Sequence, residues 1–339
     1  MPRVLVSSGP LRNDPGRFRD HLLAARLELL EPKGHHQLTD DELLGLLPQV
    51  DAVVAGGENY SAPLLERCPR LRIIARTGVG YDAVDVAAAT RHGILVTITP
   101  GTNHEAVAEQ AFALLFGVMR RVALNDRVIR SGGWDRTLVP PLRGRTLGLV
   151  GLGRIGRAMV PRAHAFGVTV IACEPAAIDP TFAPPPPGIR LVDFETLLRE
   201  SDIVSLHCPL GPATRHLFNR EAFTRMKPGA FLINTARGGV VNEADLHAAL
   251  VSKTIAGAGL DVLDPEPPDR SNPLLTLDNV VISPHIAGID QQSMADMAEK
   301  AARCIAELFA HTSQPRGSNL LCECIVNPNC LPPREQSSP

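Results

Sequence analysis

The chain has 339 residues, 34 Lys plus Arg against 36 Asp plus Glu, and a formal net charge of −2, so no basic excess argues for a nucleic-acid surface. Hydrophobic residues make up 44% and aromatics only 4%, with one Trp and two Tyr, so small aliphatics must build the cores, and the length allows two domains. No apolar run reaches transmembrane length, and Met1-Pro2-Arg3-Val4-Leu5-Val6 reads as a first strand without signal-peptide features. Seven cysteines, an odd number, then point to reduced thiols in the cytoplasm.

Along the first hundred residues strand and helix alternate. Val4–Ser7, Asp51–Ala55, Leu71–Arg76 and Ile94–Thr97 read as strands; Phe18–Leu29, Asp40–Leu47, Ala62–Cys68 and Asp85–Thr90 read as helices. This βαβ pattern predicts a small doubly wound domain. Asn103 to about Arg130 reads as one long helical stretch with a close-packing face of Ala106, Ala113, Leu114, Gly117 and Val118. After Pro140-Pro141 six strands are expected near 147–150, 168–173, 203–207, 230–234, 256–260 and 280–282, enough for a full dinucleotide-binding sheet. Pro184–Pro187 reads as a stiff surface loop, Ser293–Ala310 as a final amphipathic helix, and the segment from Thr312 as a tail that frays. Cys322, Cys324 and Cys330 in that tail do not have the spacing of a zinc site, and no metal is expected.

The sharpest signal is Gly151-Leu152-Gly153-Arg154-Ile155-Gly156, a G-x-G-x-x-G that follows the strand Thr146–Val150 and opens a helix over Arg154 to Phe166. Gly151 permits the tight turn, Gly153 leaves room for a pyrophosphate, and Gly156 lets helix and strand pack closely, while the helix N-terminus offers N–H groups and a positive dipole end. The second strand ends on Glu174, 23 residues after Gly151, where a carboxylate would bond a ribose 2′-OH and repel a 2′-phosphate. The reading is therefore NAD.

Three polar residues lie downstream at expected strand ends, where open parallel sheets bind ligands: Arg237, Glu266 and His285. Singly each has an ordinary explanation: a solvated turn arginine, a loop acid between prolines, a structural histidine. Together, after a nucleotide fingerprint, they match hydride chemistry on a 2-oxo acid. Arg237 would hold the carboxylate and polarise the carbonyl, His285 would protonate the oxygen, and Glu266 would orient the imidazole and favour its charged form.

These segments, with Arg76-Thr77-Gly78-Val79-Gly80-Tyr81-Asp82, Pro100-Gly101-Thr102-Asn103 and Val107-Ala108-Glu109, resemble the NAD-dependent D-isomer-specific 2-hydroxyacid dehydrogenase family, in particular its phosphoglycerate dehydrogenase-like and hydroxypyruvate/glyoxylate reductase-like members. The resemblance implies an α/β fold of two doubly wound parallel-sheet domains, with a Rossmann NAD-binding domain (103–285) inserted into a discontinuous, flavodoxin-like substrate domain (1–102 plus 286–339). It implies that Arg237 binds substrate, that His285 is the acid/base paired with Glu266, and that the Val79 and Gly80 amides receive the substrate carboxylate. Glycines flanking Val79 suit such an anion nest. It further implies cofactor contacts from Thr102, Cys208, Pro209 and Thr214, and nicotinamide contacts from Thr235, Ala236, Asp261, His285 and Gly288. The expected partners are a small 2-oxo or 2-hydroxy acid and a second copy of the chain in a homodimer, with closure between domains excluding water.

Glyoxylate, hydroxypyruvate and phosphohydroxypyruvate all remain candidate substrates. Gly56-Gly57-Glu58 occupies the loop where serine-pathway members carry an Arg for the phosphate, which weakens the phosphoglycerate reading. A nicotinamide-sensing corepressor-like binding protein of the same fold is the alternative, and formate dehydrogenase is set aside because that subfamily carries Gln where Glu266 stands.

Overall fold

A computed structural model describes residues 1–174, 184–310 and 323–330. The chain divides into two compact units: Met1–Asn103 with Asp290–Pro339, and His104–Ile289.

Unit 1 carries five parallel strands, β1 (Arg3–Val6), β2 (Glu28–Leu30), β3 (Ala52–Ala55), β4 (Ile73–Arg76) and β5 (Leu95–Thr97), in the order β2-β1-β3-β4-β5. This is the flavodoxin-like order, with the reversal between β1 and β3. The helices are α1 (Phe18–Ala24), α2 (Asp40–Leu46), α3 (Ala62–Leu65) and α4 (Val86–Arg91). A capping box starts α2: Thr39 accepts from the Glu42 amide, and Glu42 accepts from the Thr39 amide.

The Phe18–Leu29 helix of the sequence reading is cut short. Arg26 adopts a left-handed φ of 57°, and Glu28–Leu30 pair with Arg3–Leu5 as the edge strand β2. The Leu-Glu-Leu-Leu pattern serves helix or strand, and the open edge of β1 decides for strand because its backbone groups need partners.

Unit 2 holds seven parallel strands, β6 (Thr146–Val150), β7 (Thr169–Cys173), β8 (Arg190–Leu191), β9 (Ile203–Leu206), β10 (Phe231–Asn234), β11 (Gly257–Leu260) and β12 (Val280–Ile282). Their order is β12-β11-β10-β9-β6-β7-β8, so the sheet reverses between β6 and β9. Six of the seven were expected. The short, exposed β8 was not, because Arg190-Leu191 carries no apolar run. The central β9 is buried at all four residues, as helices on both faces require. The helices are α5 (His104–Met119), α6 (Val122–Arg130), α7 (Arg154–Ala165), α8 (Phe194–Glu200), α9 (Arg220–Arg225) and α10 (Glu243–Val251).

The single helix expected over Asn103–Arg130 is two helices. Arg121, with φ 55°, breaks it without a glycine or proline to announce the break. Of the apolar face expected for α5, Ala106, Leu114 and Val118 are buried, but Ala113 is exposed, and Ala111 and Leu115 join the buried face. Glycines bring α5 down onto the sheet. A Cβ at Gly257 would meet Val118 Cγ2 at 2.7 Å, and one at Gly259 would meet Leu114 Cβ at 2.9 Å.

The chain re-enters unit 1 through α11 (Gln291–Ala310), whose Ala298, Ala301, Ala302 and Ile305 are fully buried with Val4, Val6, Leu22 and Ile73. Residues 323–330 then close on β5. Ile325 bridges antiparallel to Thr97, and Asn327 accepts from the Val96 amide at 2.7 Å and donates to the Ile94 carbonyl. Cys322 and the segment from Thr312 expected to fray lie mostly outside the described residues. No described helix is long and apolar enough to cross a membrane.

Candidate active site

The nucleotide fingerprint is built at the sheet reversal of unit 2, where the ends of β6 and β9 diverge. Gly151 has φ +101°, and a Cβ there would meet the His207 carbonyl oxygen at 2.8 Å, so the turns after the two strands touch. A Cβ at Gly156 would lie 2.3 Å from the Gly151 oxygen. Gly153, by contrast, faces open space: nothing lies within 4 Å of its Cβ position. It is also the N-cap of α7 and has no side chain to cap the helix, so Arg154, Ile155 and Gly156 open the helix toward that space. Glu174, at the end of β7, accepts from the Leu152 amide at 2.9 Å, which fixes its carboxylate beside the glycine turn.

The turn after β9 continues this rim. Thr214 Oγ1 donates to the Pro209 carbonyl at 2.6 Å and accepts from the Gly211 amide at 2.8 Å, folding Cys208–Thr214 into a tight loop. Cys208 is buried, and burial pushes its thiol up to about 12. After β10, Thr235 is buried with no hydrogen-bond partner for its Oγ1 among the described residues. An open cradle at Gly153 together with an orphaned hydroxyl at Thr235 fits an extended polar ligand along these strand ends, as a dinucleotide would lie.

Arg237, Glu266 and His285 come together farther along the same edge. Asn234, the last residue of β10, pins the first turn: its side chain accepts from the Ala236 amide and donates to the Arg237 carbonyl. The next residue must be glycine, because a Cβ at Gly238 would lie 2.1 Å from the Leu263 oxygen. That contact lays the Arg237 turn against the Leu263–Glu266 turn. Glu266 Oε1 accepts from the Leu263 amide at 2.9 Å, and Oε2 accepts from His285 Nδ1 at 2.6 Å. Burial opposes the Glu266 charge, but the His285 hydrogen bond and charge, the Leu263 amide and the nearby Arg237 hold its carboxyl below the ordinary value. With Nδ1 committed to Glu266, Nε2 is the nitrogen of His285 left to exchange a proton with a bound molecule. His285 itself is exposed and takes a left-handed φ of 54°. Its amide donates to the Asp261 carbonyl at 2.8 Å.

Asp261, read from the sequence as a nicotinamide contact, is 1% exposed and committed to its own loop. Its carboxylate accepts from Ser283 Oγ and from the Ile286 and Ala287 amides. Gly288 is the next residue of that turn. Ser283 was passed over in the sequence, although its place two residues before His285 at a strand end was the available signal.

In unit 1, Val79 and Gly80 follow β4. The Gly78 amide donates to Thr99 Oγ1, and Arg76 Nε donates to the Gly80 carbonyl at 3.1 Å. The Val79 and Gly80 amides have no acceptor among the described residues. Thr102 Oγ1 donates to the Thr99 carbonyl. Glu58 is buried and accepts from the Ser7 and Tyr60 hydroxyls.

Residues 112–287 match the family model of the D-isomer specific 2-hydroxyacid dehydrogenase, NAD binding domain. The chain is 41% identical over 279 residues to a hydroxypyruvate reductase of Thermotoga maritima, covering 81% of this chain and 89% of that protein. This chain belongs to the D-isomer specific 2-hydroxyacid dehydrogenase family. It is 43% identical over 275 residues to a glyoxylate reductase of Thermococcus litoralis, covering 77% of this chain and 81% of the relative. Among solved structures, the TT0316 protein of Thermus thermophilus superposes with a TM-score of 0.81 at 39% identity, over 93% of this chain and 99% of that one. The protein is accordingly an oxidoreductase acting on CH–OH groups, with a nicotinamide dinucleotide cofactor and a small-molecule substrate.

Proposed function

We propose that this D-2-hydroxyacid dehydrogenase uses NAD and interconverts a small unphosphorylated 2-oxo acid, of the glyoxylate or hydroxypyruvate class, with its D-2-hydroxy acid. The observation that carries the reading is the 2.6 Å hydrogen bond from His285 Nδ1 to Glu266, beside the turn that presents Arg237.

Gly151, Gly153, Gly156 and the first turn of α7 would hold the pyrophosphate, Glu174 the adenosine ribose, Cys208–Thr214 the adenine side, and Thr235, Ala236 and Gly288 the nicotinamide side. When bound, the cofactor supplies or accepts the hydride. Arg237 takes the substrate carboxylate with its planar fork and draws electron density from the carbonyl. The Val79 and Gly80 amides of unit 1, both without an acceptor among the described residues, suit an anion such as a carboxylate. Protonated His285 gives its Nε2 proton to the carbonyl oxygen during reduction and takes it back during oxidation. Glu266 holds the imidazole by Nδ1 and stabilises the imidazolium with its negative charge.

Two features support the finer choices. Glu174 presents a carboxylate where a 2′-phosphate would stand, which disfavours NADP. The loop Gly56–Glu58 offers no cation for a substrate phosphate, and Glu58 is turned into the unit 1 core. The thiol of every described cysteine is free, in keeping with a reducing, cytoplasmic setting. We also propose a homodimer. Val122, Ile129, Trp134 and Leu138 of unit 2 are 57%, 50%, 82% and 96% exposed along one short stretch of chain, an apolar run that a second copy would cover.

The test is steady-state oxidation of NADH and of NADPH against a panel of 2-oxo acids. Turnover with glyoxylate or hydroxypyruvate and NADH, and weaker turnover with NADPH or the phosphorylated acid, is expected. His285→Gln should lower turnover by about a hundredfold or more with cofactor binding intact; near-normal turnover would remove His285 from the chemistry.

A further inference from the structure

The left-handed turn at His285 is held from behind by a chain of hydrogen bonds that begins on another element. Gln110, on α5, donates from Nε2 to Ser283 Oγ at 3.1 Å. Ser283 donates to Asp261 Oδ1 at 2.5 Å. Asp261 Oδ1 also accepts from the Ile286 amide at 3.0 Å, its Oδ2 accepts from the Ala287 amide at 2.8 Å, and its backbone carbonyl accepts from the His285 amide at 2.8 Å. The residues on both sides of the imidazole are thus tied to one buried carboxylate.

A regular packing register puts Gln110 there. Val118 faces Gly257 and Leu114 faces Gly259. Four residues along a helix advance about 6 Å and two along a strand about 6.7 Å. The next pair in the series is Gln110 with Asp261, at the carboxyl end of β11. The two glycines let α5 descend until its polar residue reaches the loop. Had β11 carried larger side chains at these places, the helix would stand off and the bond to Ser283 would be lost.

We propose that Ser283 and Gln110 are positioning residues for His285: they fix the Asp261 carboxylate, which holds the strained turn that aims the imidazole. A non-glycine residue at positive φ persists only where its surroundings over-determine it. Here the determinants are the Asp261 bonds, and Ser283 and Gln110 keep Asp261 in one place. Because the imidazole is exposed, little packing holds it, so the hydrogen-bonded turn and the Glu266 bond at Nδ1 together set where Nε2 points. The inference rests on His285 being the acid/base of the proposed reaction.

The experiment is a mutant cycle on the purified enzyme, following NADH oxidation with the best 2-oxo acid, beside NADH dissociation constants and melting temperatures. Ser283→Ala should lower kcat by about tenfold to a hundredfold, the scale of a misplaced catalytic group, with little change in NADH affinity. Ser283→Thr, which keeps the hydroxyl, should restore most of it. Gln110→Met, similar in shape without the donor, should lower kcat about fivefold, the net worth of one hydrogen bond. The deciding arm is Ser283→Ala in a His285→Gln background: a residue that acts through His285 adds no further loss there. Wild-type kcat in Ser283→Ala and Gln110→Met, failure of Thr to rescue, or an equal loss in the His285→Gln background would overturn the proposal. Should His285→Gln itself turn over normally, the proposed mechanism fails instead, and the two failures are told apart by that single variant.

Discussion

At the scale of residues, three glycines of one motif carry different duties. Gly156→Ala and Gly151→Ala should each damage folding, since their Cβ atoms would run into backbone at 2.3 Å and 2.8 Å and backbone cannot retreat cheaply. Gly153→Ala should leave the melting temperature near that of the parent, because its Cβ meets nothing, yet weaken cofactor binding measured by NADH fluorescence titration. Equal loss of stability in Gly153→Ala would contradict the open cradle. His207, next to Gly151, makes a separate prediction. Its Nε2 bonds Ser205 Oγ, its Nδ1 is enclosed without a partner among the described residues, and burial lowers its pKa from 6.5 to about 3. The unfolded chain therefore takes up a proton below about pH 6.5 that the folded chain refuses, so stability falls as pH drops from 6.5 toward 3. Melting temperatures should decline with acid more steeply in the parent than in His207→Gln. Parallel declines would assign the acid sensitivity elsewhere.

At the scale of elements, α7 contains Pro161 in its interior, which has no N–H to give the carbonyl four residues back. A proline inside a helix costs about 3 kcal/mol relative to alanine, and replacing it returns about 0.4–1 kcal/mol of entropy to the unfolded chain. Because Pro161 is exposed, no packing is lost, and Pro161→Ala should stabilise the enzyme by roughly 2 kcal/mol in urea unfolding. No gain would mean that the helix already relaxes around the ring. Elements were legible where pattern and punctuation agreed. The runs of β6, β9 and β10 and the glycine turn before α7 were read correctly, because a parallel strand covered on both faces is a nearly continuous apolar run. Edges were not legible. β2 and β8 exist because a neighbouring strand needs partners, and the break at Arg121 has no local marker.

At the scale of the whole molecule, the proposed dimer has a built-in reporter. Trp134 is the only tryptophan of the chain and is 82% exposed in the single copy. If the apolar stretch is the interface, tryptophan emission should shift to the red on dilution, and Leu138→Asp should give a monomer by light scattering with red-shifted emission at all concentrations. A monomeric parent with water-exposed emission throughout would refute the homodimer.

The sequence by itself determined the family, the two α/β units and the identity of the residues nominated for the chemistry. Those features rest on local rules, since a turn needs its glycine and a covered strand its apolar run, and local rules are written in the chain. Tertiary structure alone decided what those residues lean on. It drew Glu266 and His285 together across 19 positions of sequence, laid the Arg237 turn against the Leu263–Glu266 turn through the contact at Gly238, and tied the Asp261 carboxylate to the residues after His285. It also brought Gln110 to Ser283 across 173 positions. Such pairings depend on how closely a helix can settle on a sheet, which is set by the side chains of two distant segments at once and by neither alone.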